Sequence, residues 1–129
     1  MRVFVIDAYA WVEYFDGTGL GKKVQDIVEQ SDNIIYTNVI TLAELASHFK
    51  RRDQDFSSAK QSLFSLSSVY SISPEFAEDA GLLHALIKKD RKHMGLADVL
   101  VLLTARKLSG KVVTGDEDFR GIKEVVMLK

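Results

Sequence analysis

The sequence predicts an α/β fold in which helices cover both faces of a mostly parallel sheet. Short apolar runs rich in β-branched residues alternate along the chain with longer segments of helical periodicity. This alternation is typical of βαβ units, whose strands run parallel and whose helices form the outer layers. The chain has 129 residues, 47% of them apolar, which is enough for one sizeable core but cramped for two. We therefore predict one three-layer α/β/α domain spanning residues 1–129.

The first half of the chain is predicted to contain two strands and four helices. The four residues after Arg2 are all apolar, as in strands that are buried on both faces. Thr37 or Asn38 is suited to cap the third helix, whereas the many serines of the fourth lower its helix propensity. The strands cover residues 2–6 and 33–37, and the helices cover residues 8–15, 19–31, 38–52 and 57–68.

The second half is predicted to contain three strands and two helices. Pro74, the only proline, can open a helix because its missing N–H is not needed at that position. The segment LADVLVLLTA is nearly all apolar, which indicates a buried helix, and Gly110 is suited to end it. The strands cover residues 69–73, 111–115 and 124–128, and the helices cover residues 74–90 and 96–110.

The composition excludes several classes of site. There is no cysteine, so disulfides, thiolate metal sites and cysteine nucleophiles are ruled out. The 17 basic and 18 acidic side chains leave a net charge of −1, so any anion-binding surface must arise from segregation of charge. No basic and apolar leader precedes the first strand, and no apolar run approaches the roughly 20 residues that span a bilayer. We expect a cytoplasmic protein without membrane contact.

Two acidic residues directly follow predicted parallel strands. Asp7 comes after the first strand and Asp116 after the fourth. The carboxyl ends of parallel strands meet at the edge where such sheets bind ligands, so both residues are candidates for a site. The alternative for each is a helix N-cap, the common role of an Asp between a strand and a helix.

Two further acids lie on predicted helices. Asp98 shares a helix face with Val101 and Ala105, where an ionised carboxylate is rarely buried without a partner. Its alternative role is a first-turn position that favours the helix dipole. The alternative to a site role for Glu44 is an ordinary position on the solvent-exposed face of its helix. His48, four residues after Glu44, is interpreted as its partner in a surface helix pair, with metal ligation as the alternative.

Taken together, the acids predict a metal site. Carboxylates within about 4–6 Å of one another raise each other's pKa and destabilise the fold unless a cation compensates them. Oxygen ligands without cysteine or an ordered set of histidines favour Mg²⁺ or Mn²⁺. The predicted ligands are Asp7, Glu44, Asp98, Asp116 and Asp118.

Three segments, in this order, resemble the PIN-domain ribonucleases and most closely the toxins of the VapC type. The segments are VIDAYAWVEYF, TLAELA and GLADVLVLLTARKLSGKVVTGDEDFRGI. They run from the first strand nearly to the C-terminus. The last segment is the most specific, because it combines an Asp opening an apolar helix with a Gly, a short strand and Thr-x-Asp-x-Asp-Phe.

The resemblance implies a sheet in the order 3-2-1-4-5 and metal-dependent endonucleolytic cleavage of single-stranded or structured RNA. Many relatives carry Ser or Thr where this chain has Tyr9, and the larger phenol is expected to affect rate and specificity more than metal binding. By the match, Asp7, Glu44, Asp98 and Asp116 resemble the family's acidic quartet, Asp118 its auxiliary acid, and Thr114 the hydroxyl that orients the acid after the fourth strand.

The resemblance also implies a VapB-like antitoxin partner and a homodimer. The helices over residues 8–15 and 57–68 are candidates for an apolar docking surface, with core packing as the alternative role of Trp11 and Phe15. RNA phosphates are expected to contact two basic clusters, whose alternative role is to complete a helix end in solvent. The clusters are Lys50, Arg51 and Arg52, and Lys88, Lys89, Arg91 and Lys92.

Three other functions also place acids at strand ends. A receiver-type phosphoacceptor domain needs a lysine at the end of a late strand, where this chain has TGDEDF. A catalytically silent PIN module would serve in RNA binding or scaffolding, and the full set of acids disfavours it. A nuclease acting on DNA flaps or structured RNA is disfavoured by a chain too short for an arch or an extra domain.

Overall fold

Strands and helices alternate through the whole chain, which a computed structural model describes from Met1 to Lys129. The strands are β1 (Arg2–Ile6), β2 (Asn33–Asn38), β3 (Ser68–Tyr70), β4 (Lys111–Thr114) and β5 (Val125–Met127). The helices are α1 (Ala8–Asp16), α2 (Gly19–Val28), α3 (Val39–Arg51), α4 (Ser57–Leu66), α5 (Pro74–Ile87) and α6 (Leu96–Lys107), with a 3₁₀ turn at Glu117–Phe119. None of these helices combines the length and the apolar character needed to cross a membrane.

The five strands form one sheet in the order β3-β2-β1-β4-β5, and every neighbouring pair is parallel. β1 lies in the middle, where Val5 pairs with Tyr36 of β2 on one side and with Val112 of β4 on the other. The direction of chain progression reverses at β1, so the carboxyl ends of β1 and β4 border the crevice in which such sheets bind ligands. The predicted fold class and strand order are confirmed.

Buried apolar residues fill both faces of the sheet. On one face, Phe4 and Ile6 pack with α1, α2 and α4, and Trp11 of α1 is fully buried among them. On the other face, Val5 packs with α6, including the fully buried Leu102. Alternate residues of β1 therefore point into opposite cores, which explains why the strand is apolar along most of its length.

Several boundaries differ from the predicted ones. β3 ends at Tyr70 rather than at residue 73, because Ser73 leaves the strand to cap α5, with its Oγ accepting from the N–H of Phe76 at 3.1 Å. α2 ends at Val28, three residues early. α5 ends at Ile87, after which residues 88–95 form turns that lead into α6.

The start of α3 is held by a buried polar residue. Asn38 caps the helix through its Oδ1, which accepts from the N–H of Ile40 at 2.8 Å. Asn38 is fully buried, as is Thr41 one turn further on. α3 therefore leaves the carboxyl end of β2 in a defined direction, and this direction sets the position of Glu44.

Candidate metal centre

Three carboxylates meet at the carboxyl edge of the sheet. One oxygen atom from each lies within 4.8 Å of the oxygens of the other two. All three side chains are half-buried, at the rim of the core rather than on an open surface. The residues are Asp98, Asp116 and Asp118.

Asp98 reaches this position because α6 begins there. It is the third residue of the helix, and its Oδ2 accepts from the N–H of Gly95 at 2.9 Å, an arrangement that closes the first turn. The helix behind it is anchored by a run of buried residues that includes Val99 and Ala105. A carboxylate at the start of a buried helix is thereby held at the mouth of the crevice.

Asp116 and Asp118 are placed by the tight turn that follows β4. The fully buried hydroxyl of Thr114 accepts from the N–H of Asp116 at 3.0 Å. Asp116 then caps the 3₁₀ turn, since its Oδ1 accepts from the N–H of Asp118 at 2.9 Å. The crowding of acids in TGDED thus accompanies a tight turn in which the N–H of Asp118 orients the carboxylate of Asp116.

Capping and clustering coexist at these residues. Asp7 caps α1, with its Oδ1 accepting from the N–H of Ala10 at 2.9 Å. In Asp98 and Asp116, likewise, one carboxylate oxygen accepts from a backbone N–H of the same turn. The second oxygen of Asp98 and of Asp116 accepts no hydrogen bond within the protein, whereas Asp7 also interacts with the Thr114 hydroxyl. The caps of Asp98 and Asp116 therefore orient carboxylates that each still have a free oxygen.

Asp7 is the most buried of the predicted acids, with only 7% of its surface exposed. Burial raises its pKa to about 7 from an ordinary value of 3.8, and the negative charges of Asp116 and Asp98 add to the rise. The Thr114 hydroxyl and the Ala10 N–H oppose it. Asp7 lies outside the group of three close carboxylates but is electrostatically coupled to it.

Glu44 lies on α3 with an exposed side chain. Its pKa is nevertheless raised, first by partial desolvation and then by the charges of Asp98 and Asp116. The pKa of Asp98 is raised too, by desolvation and by Asp116 and Asp118, against the lowering effect of Gly95. Glu44 is therefore close enough to Asp98 and Asp116 for their charges to act on it, although it is not one of the three closest acids.

No cation of the protein pairs with any of these five acids. The five ion pairs of the chain all involve other carboxylates. Three oxygen donors within 4.8 Å of one another, uncompensated and free of sulfur or imidazole, fit a hard divalent cation such as Mg²⁺ or Mn²⁺. The donor chemistry thus matches the cofactor predicted from the sequence.

Tyr9 packs beside the site rather than pointing away from it. Its ring lies against the α-carbon of Gly115, where an added Cβ would overlap the ring atoms. Its hydroxyl accepts from Nζ of Lys129 at 2.9 Å. The phenol is thus fitted into the turn that carries Asp116 by the lack of a side chain at position 115.

The predicted RNA-binding residues differ in whether their side chains already have partners within the protein. Arg51 donates to Oγ of Ser47, Arg52 pairs with Asp16 at 3.5 Å, and Lys88 donates to the carbonyl of Lys92. The side-chain ammonium groups of three exposed lysines make no hydrogen bond or ion pair, namely those of Lys50, Lys89 and Lys92. Nε2 of His48 lies 3.2 Å from Nη1 of Arg52, one turn further along, at the end of the same helix.

Arg91 has a contact that the sequence analysis missed. Its guanidinium reaches across to the 3₁₀ turn and donates to the carbonyls of Asp118 and Arg120. Both acceptors belong to the backbone about 30 residues away along the chain, so no periodicity or motif could have indicated the contact.

The comparisons with known proteins agree with this architecture. The family model of the PIN domain matches residues 4–125. No curated protein matches the chain in sequence. A toxin-antitoxin complex from Klebsiella pneumoniae contains a chain that is 23% identical with a TM-score of 0.71, and the match covers 100% of this chain and 98% of that one.

Two further solved structures share the fold at lower identity. VapC20 of Mycobacterium tuberculosis, described as a Sarcin-Ricin loop cleaving toxin, is 16% identical with a TM-score of 0.75, over 95% of this chain and 96% of that one. DNA-bound VapBC from Salmonella typhimurium is 16% identical with a TM-score of 0.74 over the whole of both chains. With the family model covering nearly all of its residues, the chain belongs to the PIN domain family.

Proposed function

We propose that this protein is an endoribonuclease that depends on Mg²⁺ or Mn²⁺ and is the toxin of a toxin–antitoxin pair. The observation that carries the proposal is the group of three uncompensated carboxylates within 4.8 Å at the carboxyl edge of the sheet. Like charges so close, at half-buried positions, favour a bound divalent cation. Membership of the PIN domain family adds the expectation of nuclease chemistry.

The acids have distinct roles in this proposal. Asp98, Asp116 and Asp118 hold the cation, and the capping hydrogen bonds of Asp98 and Asp116 leave one oxygen of each free for it. Asp7 and Glu44 border the same crevice and contribute the remaining negative charge, directly or through water. Mg²⁺ or Mn²⁺ held there would supply charge stabilisation at a phosphodiester and an activated water. Thr114 keeps Asp116 oriented through its backbone N–H.

RNA is the proposed substrate, single-stranded or structured. The sequence resemblance supports RNA, and one protein of the same fold is described as cleaving the Sarcin-Ricin loop. Phosphates flanking the cleaved bond would contact the unpaired lysines Lys50, Lys89 and Lys92. The overall charge of −1 makes such local basic positions necessary for binding a polyanion.

Cleavage of end-labelled RNA by purified protein tests the proposal. We expect cleavage with Mg²⁺ or Mn²⁺ and none in excess EDTA, and we expect Asp98→Asn and Asp116→Asn to be inactive while folded. Because the variants are purified identically, they control for contaminating nuclease. His48→Ala is the matched control, and we expect nearly wild-type activity. Cleavage that persists in EDTA, or in the Asp116→Asn protein, would contradict the metal-dependent mechanism.

The silent-module alternative makes a different prediction. A scaffolding or RNA-binding PIN module would bind RNA without cutting it, and its binding would not respond to the Asp116→Asn substitution. A toxin should arrest growth of the producing cell when induced, and the Asp116→Asn variant should not. Growth that continues during expression of active wild-type protein would remove the toxin role but not the nuclease.

The proposed partners are a VapB-like antitoxin and a second copy of this chain, in the cytoplasm. Toxin-antitoxin complexes are among the proteins with this fold, which supports the antitoxin. The antitoxin would be a small DNA-binding protein encoded by a neighbouring reading frame. Co-purification of that protein with this chain, and inhibition of RNA cleavage by it, would support the pair. Sedimentation at micromolar concentration tests the homodimer, and a monomer there would contradict it without affecting the nuclease proposal.

A further inference from the structure

Arg91 ties together the two chain segments that carry the close carboxylates. Its Nη1 donates to the carbonyl of Asp118 at 3.1 Å and to the carbonyl of Arg120 at 2.8 Å. Arg91 itself lies in the turns between α5 and α6, the segment that leads into Asp98. One guanidinium nitrogen thus bridges the approach to α6 and the turn after β4.

Both ends of this bridge are anchored. The N–H of Arg91 donates to Ile87 at the end of α5, and its carbonyl accepts from the N–H of Met94, which is fully buried. On the other side, Phe119 is fully buried between the two carbonyls that Arg91 contacts. Each end of the bridge is thus held within its own segment, and the Arg91 side chain is a hydrogen-bonded contact that spans the two.

Arg91 does not act by neutralising the site. It forms no ion pair with any carboxylate, although the segments that it joins carry Asp90, Asp116, Glu117 and Asp118. The chain also makes room for the guanidinium, since a Cβ on Gly121 would lie only 3.3 Å from Nη2 of Arg91. Gly121 has φ +87°, a conformation that suits glycine.

We propose that Arg91 is a positioning residue, which sets the distance between Asp98 and the pair Asp116 and Asp118 by holding the backbone of the 3₁₀ turn. This inference rests on the proposed metal-dependent function. Oxygen ligands bind a small divalent cation well only when their spacing is correct, and partners that orient metal ligands typically change affinity by about 10–100-fold when removed. Arginine suits the task because its rigid, planar guanidinium holds Nη1, which carries two N–H donors, in one orientation toward both carbonyls.

Three variants separate positioning from charge. Arg91→Lys keeps the positive charge but loses the planar guanidinium. Arg91→Met loses both the charge and the guanidinium while keeping an apolar side chain. Lys123→Gln is the matched control, because Lys123 is an exposed cation two residues beyond Gly121 that has no hydrogen bond or ion pair. Mn²⁺ affinity is measured by calorimetry on the RNA-free proteins at about pH 8, well below their unfolding temperatures.

The expected result is a loss of Mn²⁺ affinity of about tenfold or more in both Arg91 variants. Lys123→Gln should change it by less than about twofold, because one exposed charge is largely screened by salt. RNA cleavage by Arg91→Lys should recover as Mn²⁺ is raised. Wild-type Mn²⁺ affinity in Arg91→Lys would overturn the inference.

A phosphate-binding role for Arg91 gives a different pattern. Removing a phosphate contact would leave Mn²⁺ affinity unchanged, weaken RNA binding and lower the salt slope of RNA binding by about one. That pattern in Arg91→Met would overturn the positioning role.

Hydrogen exchange of the metal-free proteins provides a readout that does not depend on the cation. In Arg91→Lys the amides of Phe119 and Arg120 should exchange faster, while those in the middle of α6 should be unchanged. Unchanged exchange at the 3₁₀ turn would also overturn the inference. If wild-type protein bound no Mn²⁺ but the turn still loosened in Arg91→Lys, the proposed metal-dependent function would fail while the backbone contact would stand.

Discussion

Asn38 donates from its Nδ2 to Oγ1 of Thr104 at 2.8 Å, and both side chains are fully buried. Asn38 is the cap of α3, which carries Glu44, and Thr104 lies in α6, which carries Asp98. The hydroxyl of Thr104 in turn donates to the carbonyl of Leu100 at 2.7 Å. A single buried hydrogen bond therefore connects the two helices that approach the acidic crevice from different sides.

Thr104→Val should destabilise the protein by about 1–3 kcal/mol, because it leaves the Asn38 amide buried without an acceptor. Thr41→Val is the matched control: Thr41 is also fully buried, but its hydroxyl has no hydrogen-bond partner, so the substitution should be neutral or stabilising. Chemical denaturation of both variants measures the difference. Equal destabilisation would mean that the methyl-for-hydroxyl exchange, not the lost hydrogen bond, matters.

Asp98→Asn should stabilise the metal-free protein by about 1 kcal/mol, because it removes one of several close negative charges while an Asn can still close the first turn. The pKa of Asp98 is raised in the folded state, so ionising it destabilises the fold and the gain should grow as pH rises. High salt should shrink the gain.

The same variant should lose its advantage in millimolar Mg²⁺. Wild-type protein would bind the cation more tightly and be stabilised by mass action. Thermal unfolding in EDTA and in Mg²⁺ compares the two proteins. Identical shifts in both conditions, or a less stable variant in EDTA, would contradict an acidic metal pocket that includes Asp98.

Asp7 should make the metal-free protein less stable as pH rises from about 4 to about 7. Its folded pKa of about 7 lies above the ordinary value of 3.8, so the folded state holds a proton that the unfolded state has released. At 1.4 kcal/mol per pKa unit, the full effect is at most about 4 kcal/mol. Asp7→Asn should flatten this part of the profile and retain the α1 cap.

Urea denaturation in EDTA across this pH range measures the effect. Wild type and Asp7→Asn should be similarly stable near pH 4 and differ most above pH 7. Glu44 and Asp98 have raised pKa values too, so some slope should remain in the variant. A wild-type profile that is flat, or that rises through this window, would contradict the burial of an unpaired carboxyl at position 7.

Gly115→Ala should destabilise the protein by about 1–3 kcal/mol through overpacking, because the new methyl group would overlap the ring of Tyr9. The same substitution in a Tyr9→Ala background should cost much less. A double-mutant cycle measured by thermal unfolding gives the coupling between the two positions. Additive effects would mean that the phenol does not occupy the space above Gly115.

The alternation of apolar runs with helical segments was sufficient to predict the fold class, because such alternation is typical of parallel βαβ units. The strand order came from the resemblance to the PIN-domain ribonucleases. The acids at the ends of β1 and β4 could be located because the carboxyl ends of parallel strands share one edge. Local chemistry also limited the cap of α3 to Thr37 or Asn38, because caps depend on neighbours in the chain, and the structure has Asn38.

The relationships between distant segments were decided only by the tertiary structure. The sequence could not show that the carboxylate of Asp118 lies in one close group with those of Asp98 and Asp116. That grouping depends on how the 3₁₀ turn lies against the start of α6. It could not show that Arg91 contacts backbone carbonyls, since every residue offers the same carbonyl and no side-chain pattern marks the acceptor. Periodicity reports which face of an element is buried; the distances between elements follow from how their side chains pack.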